Sequence, residues 1–121
     1  MKILNLTQHV ATKDQQEVGV IEPVNKQEVK ELLTFHTLPT KKEIVNKAIG
    51  LVTIAVNSNV EAVMIGGASY LMGTLESIFS IYAPDIKVLH AFSERKVVET
   101  LKEDGTVEKS NVFKHTGFVE V

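Results

Sequence analysis

The feature that most constrains the fold is a short apolar run, Ala62-Val63-Met64-Ile65, which ends in Gly66-Gly67. An apolar pattern with helical spacing follows at once and extends from Tyr70 to Ala83. A strand that is apolar on both faces is typical of a buried parallel sheet, and such a strand commonly leads directly into a helix. The sequence therefore predicts an α/β fold built on parallel strands.

Two more strands and three more helices are predicted in the chain up to residue 92. Residues 2–7 and 86–92 have the apolar content of short strands. Each of the three helices begins at a polar residue that can cap the first turn, namely Thr12, Asn25 and Thr40. The helix after Thr40 has a wide apolar stripe, so we expect it to pack against a large surface.

The C-terminal part of the chain has a different period. Residues 95–103 and 106–113 alternate roughly between β-branched and charged side chains, on either side of Asp104-Gly105. That dipeptide is typical of two-residue hairpin turns, so we expect an antiparallel hairpin that extends the sheet. Together the elements predict one domain, residues 1–121, with a three-layer, Rossmann-like arrangement of parallel strands and helices and a C-terminal hairpin.

Composition and charge exclude several functional classes. The chain has 121 residues, of which 44% are hydrophobic and 23% charged, as in one globular domain. A net charge of −2 argues against binding to polymeric nucleic acid or to an anionic membrane, since both need a basic face. The chain contains no cysteine, no signal-peptide pattern and no apolar segment long enough to cross a bilayer. We therefore expect a cytoplasmic protein.

Three segments are predicted to meet at one edge of the sheet, because each follows a parallel strand. Ligands of open α/β sheets bind beyond the carboxyl ends of the strands. The three segments are Thr7-Gln8-His9, Gly66-Gly67-Ala68-Ser69-Tyr70 and Phe92-Ser93-Glu94-Arg95. We expect a ligand to bind where they converge.

The glycine segment is the part of this edge best suited to phosphate. Gly66 and Gly67 let the backbone approach a ligand closely, and Ser69 is expected to cap the following helix. The unpaired N–H groups at a helix N-terminus attract anions. The same glycines also fit a tight strand-to-helix turn with no ligand, and both interpretations stay open.

The other two segments supply polar side chains. Thr7, Gln8 and His9 offer a hydroxyl, an amide and an imidazole, and His9 can act as a general acid or base near neutral pH. A polar loop without chemistry is the alternative. Arg95 is the single arginine among thirteen basic residues, and its planar donor suits a phosphate or carboxylate. The alternative to ligand binding is that Arg95 forms a surface salt bridge with Glu94.

The remaining histidines point less clearly to function. His36 lies in a predicted loop, His115 follows the hairpin, and His90 lies inside a strand, where a hydrogen-bonded core histidine is the usual outcome. No two histidines have the spacing of metal ligands on a helix, so we expect no metal site and no other cofactor. Asn5, inside the first strand, is expected to be buried and structural.

The opening Ile3-Leu4-Asn5-Leu6-Thr7-Gln8-His9-Val10-Ala11-Thr12, with Gln15 or Gln16 after it, resembles the start of CARF-related ring nucleases. These are small stand-alone CRISPR-accessory proteins. The whole chain is also similar to small proteins carried by bacterial phages and prophages. The first resemblance implies a homodimer that binds a cyclic oligoadenylate across its two-fold axis, which some members cleave without a metal. Thr7 and His9 match the strand-end positions of that family, but Gln8 between them departs from its Ser-His pattern.

We therefore expect a homodimer that binds a phosphate-bearing nucleotide at this edge, with a cyclic oligoadenylate as the specific candidate. In a metal-independent ring opening, His9 and Thr7 are the predicted catalytic residues. The predicted ligand-binding residues are Gln8, Gly66, Gly67, Ser69, Tyr70, Ser93 and Arg95. Two alternatives stay open: a non-catalytic nucleotide sponge or sensor, and a phage protein-interaction module that uses the hairpin edge or residues 112–121.

Overall fold

Most of the predicted elements form close to their predicted bounds. The computed structural model describes residues 1–121. Its strands are β1 (Ile3–Leu6), β2 (Val20–Ile21), β3 (Ala62–Ile65), β4 (Lys87–Leu101) and β5 (Val107–Glu120). Its helices are α1 (Lys13–Glu17), α2 (Lys26–Leu33), α3 (Lys41–Asn57) and α4 (Ser69–Tyr82). The two-residue strand β2 was not predicted, because Val20 and Ile21 are too few to show an alternating pattern.

Three of the predicted helix starts are confirmed by their capping hydrogen bonds. The side chains of Thr12, Asn25 and Thr40 each accept a hydrogen bond from the backbone N–H three residues further on. The expected cap at Ser69 is wrong, because Ser69 is the first residue of α4. Ala68 occupies the cap position and has no side chain that can accept. The first-turn N–H groups of α4 therefore lack a side-chain cap.

The sheet has the strand order β2-β1-β3-β4-β5, with the first four strands parallel and β5 antiparallel to β4. From β1 the chain first moves outward to β2, then returns to add β3 on the other side of β1. This order therefore reverses its direction between β1 and β3. In doubly wound sheets a crevice opens at the carboxyl ends of the strands at this reversal, and ligands bind there.

The two faces of the sheet bury hydrophobic clusters of different size. The helices α2, α3 and α4 pack on one face with Leu4, Leu6, Val63 and Ile65 in a cluster of 18 buried residues. The opposite face has a cluster of six, which includes Ala11 just before α1. The predicted α/β class with a Rossmann-like layout is confirmed, although the outer layer on the second face is a single five-residue helix. None of the four helices has both the length and the apolar character needed to span a bilayer.

The C-terminal hairpin is confirmed but is longer than predicted. β4 does not end where its pairing with β3 ends but continues to Leu101. Its pairing with β5 has one register shift, between Phe92 and Ser93. The turn is not the predicted two-residue type: the N–H of Gly105 donates to the carbonyl of Lys102 (3.0 Å), and Gly105 has φ +84°. These features define a three-residue turn with a glycine bulge. We call residues 93–116, which extend beyond β3, the arm.

Candidate functional site at the carboxyl edge of the sheet

A groove of about 550 Å³ lies at the carboxyl ends of β1, β3 and β4. This volume is within the usual range for sites that bind small molecules. The groove lies where the strand order reverses, as expected for a ligand site of a doubly wound sheet. Its polar and glycine lining consists of Thr7, Gln8, His9, Thr12, Gln15, Gly66, Gly67 and His90.

Two of the three predicted segments come together in this groove. Thr7, Gln8 and His9 reach it from the end of β1, and Gly66 and Gly67 reach it from the end of β3. The two loops are in contact, since a Cβ atom on Gly66 would lie 3.3 Å from Cγ2 of Thr7. Parallel pairing of β1 with β3 produces this contact, because it places both strand ends at the same edge.

The third predicted segment lies elsewhere. β4 does not stop at the edge of the sheet, so Ser93 and Arg95 lie on the arm, where both are exposed. Ser93 is paired with His115 and Arg95 with Phe113, and neither lines the groove. The β4 residues that do line the groove are His90 and its neighbour Ala91.

Ser69 and Tyr70 begin α4 and also lie outside the groove lining. The ring of Tyr70 packs edge-on against Phe35, with centroids 5.4 Å apart. The ammonium of Lys47 lies over that same Phe35 ring, 4.5 Å from its centroid. The contact between Tyr70 and Phe35 therefore connects α4 to the loop that follows α2.

Gly67 has a structural requirement of its own. Its φ is +157°, a conformation that side-chain-bearing residues rarely adopt, and a Cβ there would lie 3.3 Å from Cε of Met72. The tight-turn interpretation therefore applies to Gly67. It does not conflict with anion binding, since Gly67 also lines the groove just before the uncapped N-terminus of α4.

A polar network centred on one buried side chain holds the loop after β1. Asn5 is fully buried, as predicted. Its Nδ2 donates to the carbonyl of His9 (2.7 Å) and to the carboxylate of Glu22 (3.1 Å). Its Oδ1 accepts from both the N–H (3.0 Å) and the hydroxyl (2.7 Å) of Thr7. Because the hydroxyl proton of Thr7 is used in this way, its oxygen lone pairs remain as acceptors.

Glu22 and Lys26 complete the network, and sequence analysis had singled out neither for this role. The Glu22 carboxylate also accepts from the N–H of Ala11 (3.0 Å) and pairs with Nζ of Lys26 (3.0 Å). The Lys26 ammonium donates in addition to the carbonyls of Thr7 (2.7 Å) and His9 (3.1 Å). An ammonium has three protons, so the contacts of Lys26 use all of them.

The environment of Glu22 shifts the pKa of its carboxyl group. Burial acts to raise that pKa, but hydrogen bonds from Ala11, Asn5 and Lys26, together with the charge of Lys26, outweigh burial. The net result is a pKa below the ordinary value for glutamate. The network therefore holds Glu22 ionised and fixes the backbone on which Thr7 and His9 stand.

His9 and His90 are the only titratable side chains that line the groove. His9 is exposed, whereas His90 is partly buried, and its Nε2 lies 2.7 Å from Oε1 of Glu76 on α4. A carboxylate can only accept, so Nε2 carries the proton and Nδ1 of the neutral ring holds the lone pair. The predicted hydrogen bond of His90 is present, but its place at the groove was missed because β4 was expected to end at Phe92.

The two other histidines lie outside the groove. His36 is exposed near Glu31, with Nε2 3.9 Å from the carboxylate. His115 lies within β5, and its ring is 4.7 Å from that of Phe118. Its buried Nδ1 has no hydrogen-bond partner. No group of three or more histidine and carboxylate side chains is arranged to hold a metal ion.

Comparison with protein-family models gives a match over residues 1–119 to a model described as the Uncharacterized protein MJ1673 family. No curated protein and no solved structure matches the chain. The matched residues include every strand and helix apart from Glu120, the last residue of β5, and therefore both the groove and the arm.

Proposed function

The chain belongs to the MJ1673 family, and for this member we propose that the groove binds a phosphate-bearing nucleotide. One observation carries the proposal: the groove lies where the strand order reverses, and its lining combines the Gly66-Gly67 turn after the central strand β3 with His9 after β1 and His90 on β4. In this class of fold the same position holds the phosphate of bound nucleotides. A cytoplasmic location is part of the proposal.

The chemistry of the groove suits an anion. No aspartate or glutamate lines it, so a phosphate meets no like charge. The uncapped first turn of α4 begins beside Gly67 and offers backbone N–H groups with partial positive charge. Since Lys26 has no free proton to donate, additional positive charge would come from His9 and His90 when they are protonated.

A cyclic oligoadenylate is the specific ligand we propose, on the resemblance of residues 3–12 to CARF-related ring nucleases. A CARF-like arrangement would place one ring across the two-fold axis of a homodimer. Each copy would then contribute its groove to one part of the ring.

The groove also carries the groups that a metal-independent ring opening needs. In that reaction a ribose 2′-oxygen attacks the adjacent phosphorus and the bond from phosphorus to the 5′-oxygen breaks, which leaves a 2′,3′-cyclic phosphate. His90 accepts the 2′-hydroxyl proton, and protonated His9 donates a proton to the departing 5′-oxygen. Thr7 accepts a hydrogen bond from the ribose, and Glu76 orients His90 as a positioning residue.

Thermal unfolding in the presence of nucleotides tests binding. Cyclic tetra- and hexa-adenylate, the linear forms, AMP and ATP are each added in excess. A ligand at 100 times its Kd adds about 2.7 kcal/mol to the free energy of unfolding. A rise in Tm with one of these ligands, lost in His9→Gln and kept in the control His36→Gln, supports the proposal. No rise with any of them overturns it.

Chromatography of the ligand after incubation separates an enzyme from a sponge or sensor. A linear product with a 2′,3′-cyclic phosphate supports ring opening. A ligand recovered intact from stoichiometric protein supports the non-catalytic alternative and removes the nuclease.

One observation favours the protein-interaction alternative. β5 is the outermost strand of the sheet, and its 14 residues have no partner on their outer side. Such an edge can accept a strand from another protein. If no nucleotide raises the Tm, this alternative becomes the better supported function.

A further inference from the structure

The arm projects from the sheet as a two-stranded ribbon that no other element covers. Pairing of β3 with β4 ends at Ile65 and His90, and every residue from 93 to 114 is exposed. From Ser93 to Leu101 the ribbon is about 30 Å long, at about 3.4 Å per residue. A ribbon of two strands is at best marginally stable in water, so this one needs a partner surface.

The exposed area of the chain shows how large that partner surface would be. The chain exposes 7825 Å², whereas a compact monomer of 13.4 kDa exposes about 6,500 Å². The excess is therefore about 1,300 Å². Two copies that each bury this much form an interface of about 2,600 Å², which lies in the range of obligate homodimers.

One face of the arm carries most of its large apolar side chains. Side chains alternate along a strand, and the cross-strand pairs Leu101–Val107 and Arg95–Phe113 place Val97, Leu101, Val107 and Phe113 on a common face. These four are 54–74% exposed. The opposite face has only Val98 and Val112, at 41% and 43%. We call the first face the apolar face of the arm, and it is the surface that we expect a partner to bury.

Charges are segregated along the length of the arm. The base half, residues 93–98 and 110–116, carries three cations and one carboxylate, for a net charge of +2. The tip half, residues 99–109, carries four carboxylates and two lysines, for a net charge of −2. A second arm that runs antiparallel to the first therefore places each negative tip over a positive base, where Arg95 is the cation on the face of Val97 and Phe113 while Lys96 and Lys114 lie on the other face.

We infer that the arm is a dimerisation element whose partner is the arm of a second copy of this chain. Two arms pack antiparallel around a two-fold axis with their apolar faces together, and each tip lies over the base of the other. The partner is a second copy because the arm is complementary to itself in both apolar character and charge. This inference does not depend on a nucleotide in the groove.

A charge exchange tests the antiparallel arrangement. Arg95→Glu reverses the charge at the base of the apolar face, and Glu103→Lys reverses a charge at the tip without altering the turn contacts of Asp104. Measured by sedimentation equilibrium, the native protein is expected to have the mass of two chains. Each reversed variant alone shifts to the 13.4 kDa of one chain, and an equimolar mixture of the two restores the dimer.

The mixture is decisive because base-reversed and tip-reversed arms are complementary only to each other. A native protein with the mass of one chain at all concentrations overturns the inference. So does a dimer that both reversals leave intact, or a mixture that fails to reassociate.

A matched pair of apolar substitutions tests which face is buried. Val97→Thr with Phe113→Thr changes the apolar face, and Val98→Thr with Val112→Thr changes the opposite one. Threonine keeps a high strand propensity, so both variants retain the hairpin, as circular dichroism can check. The first pair is expected to raise the dimer Kd by at least about tenfold and the second to leave it within about twofold. Equal effects of the two pairs would show that this face is not the interface.

Discussion

Nε2 of His90 lies 2.7 Å from Oε1 of Glu76, which links the end of the parallel part of β4 to the middle of α4. The contact orients a histidine that also lines the groove. A carboxylate behind an imidazole holds the ring in one tautomer and stabilises its protonated form. This pair is therefore the group in the structure best placed to move a proton at the groove.

If the groove cleaves a cyclic oligoadenylate, His90→Gln lowers kcat by about 10²–10⁴, the usual contribution of a general base. The Kd for the intact ring changes far less, because glutamine preserves size and polarity. Single-turnover rates and equilibrium binding measure the two effects separately. An unchanged kcat removes His90 from the mechanism.

Glu76→Gln tests the positioning role of Glu76. Loss of the carboxylate removes the group that holds the His90 ring in its tautomer and orientation, so kcat is expected to fall while KM changes little. The control is Glu43→Gln on α3, a residue outside the groove lining. A rise in KM as large as the fall in kcat would mean that Glu76 has only a structural role.

Asn5→Asp destabilises the protein because it replaces an amide donor with a carboxylate beside Glu22, to which Asn5 donates at 3.1 Å. We expect the free energy of unfolding at neutral pH to fall by about 2–4 kcal/mol. The loss shrinks in acid, where the new carboxyl group is protonated. Urea denaturation measures it, and Asn46→Asp at an exposed site on α3 is the control.

The lowered pKa of Glu22 predicts a specific acid sensitivity. A carboxyl whose pKa is lower in the folded state binds protons more readily when unfolded. Its contribution to stability is present above its unfolded pKa and is lost as the pH falls through the folded value. Urea denaturation between pH 7 and pH 3 measures this loss, and Glu22→Gln is expected to flatten the slope on the acid side. A slope identical to that of the native protein would contradict this assignment.

Two glycine substitutions distinguish a structural turn from a ligand site. Gly67→Ala forces an alanine to φ +157° and is expected to cost about 1–3 kcal/mol of stability. Gly66→Ala instead places a methyl group 3.3 Å from Cγ2 of Thr7, within the groove. It is expected to weaken nucleotide binding more than it lowers Tm. Binding that survives Gly66→Ala unchanged would place the ligand away from this turn.

Local signals in the sequence determined much of the fold and half of the candidate site. The helix starts at Thr12, Asn25 and Thr40 depend on hydrogen bonds that span three residues, so a local pattern is enough to identify them. The apolar run of β3 and the rule for parallel strand ends together placed the loops after β1 and β3 at one edge. The contact of Gly66 with Thr7 follows from that rule.

Only the tertiary structure decided the rest, because the deciding contacts join distant parts of the chain. Asn5 and Glu22 are 17 residues apart, and nothing local to either one shows that they meet. β4 is longer than the four-residue β3 because its pairing with β5 continues to Leu101. Ser93 and Arg95 therefore lie on the arm, away from the groove. Because β4 continues past the edge of the parallel sheet, His90 lies at that edge, where Glu76 of α4 contacts its ring. Local patterns thus determined the elements and their order, while the lengths of paired strands determined which side chains reach the groove.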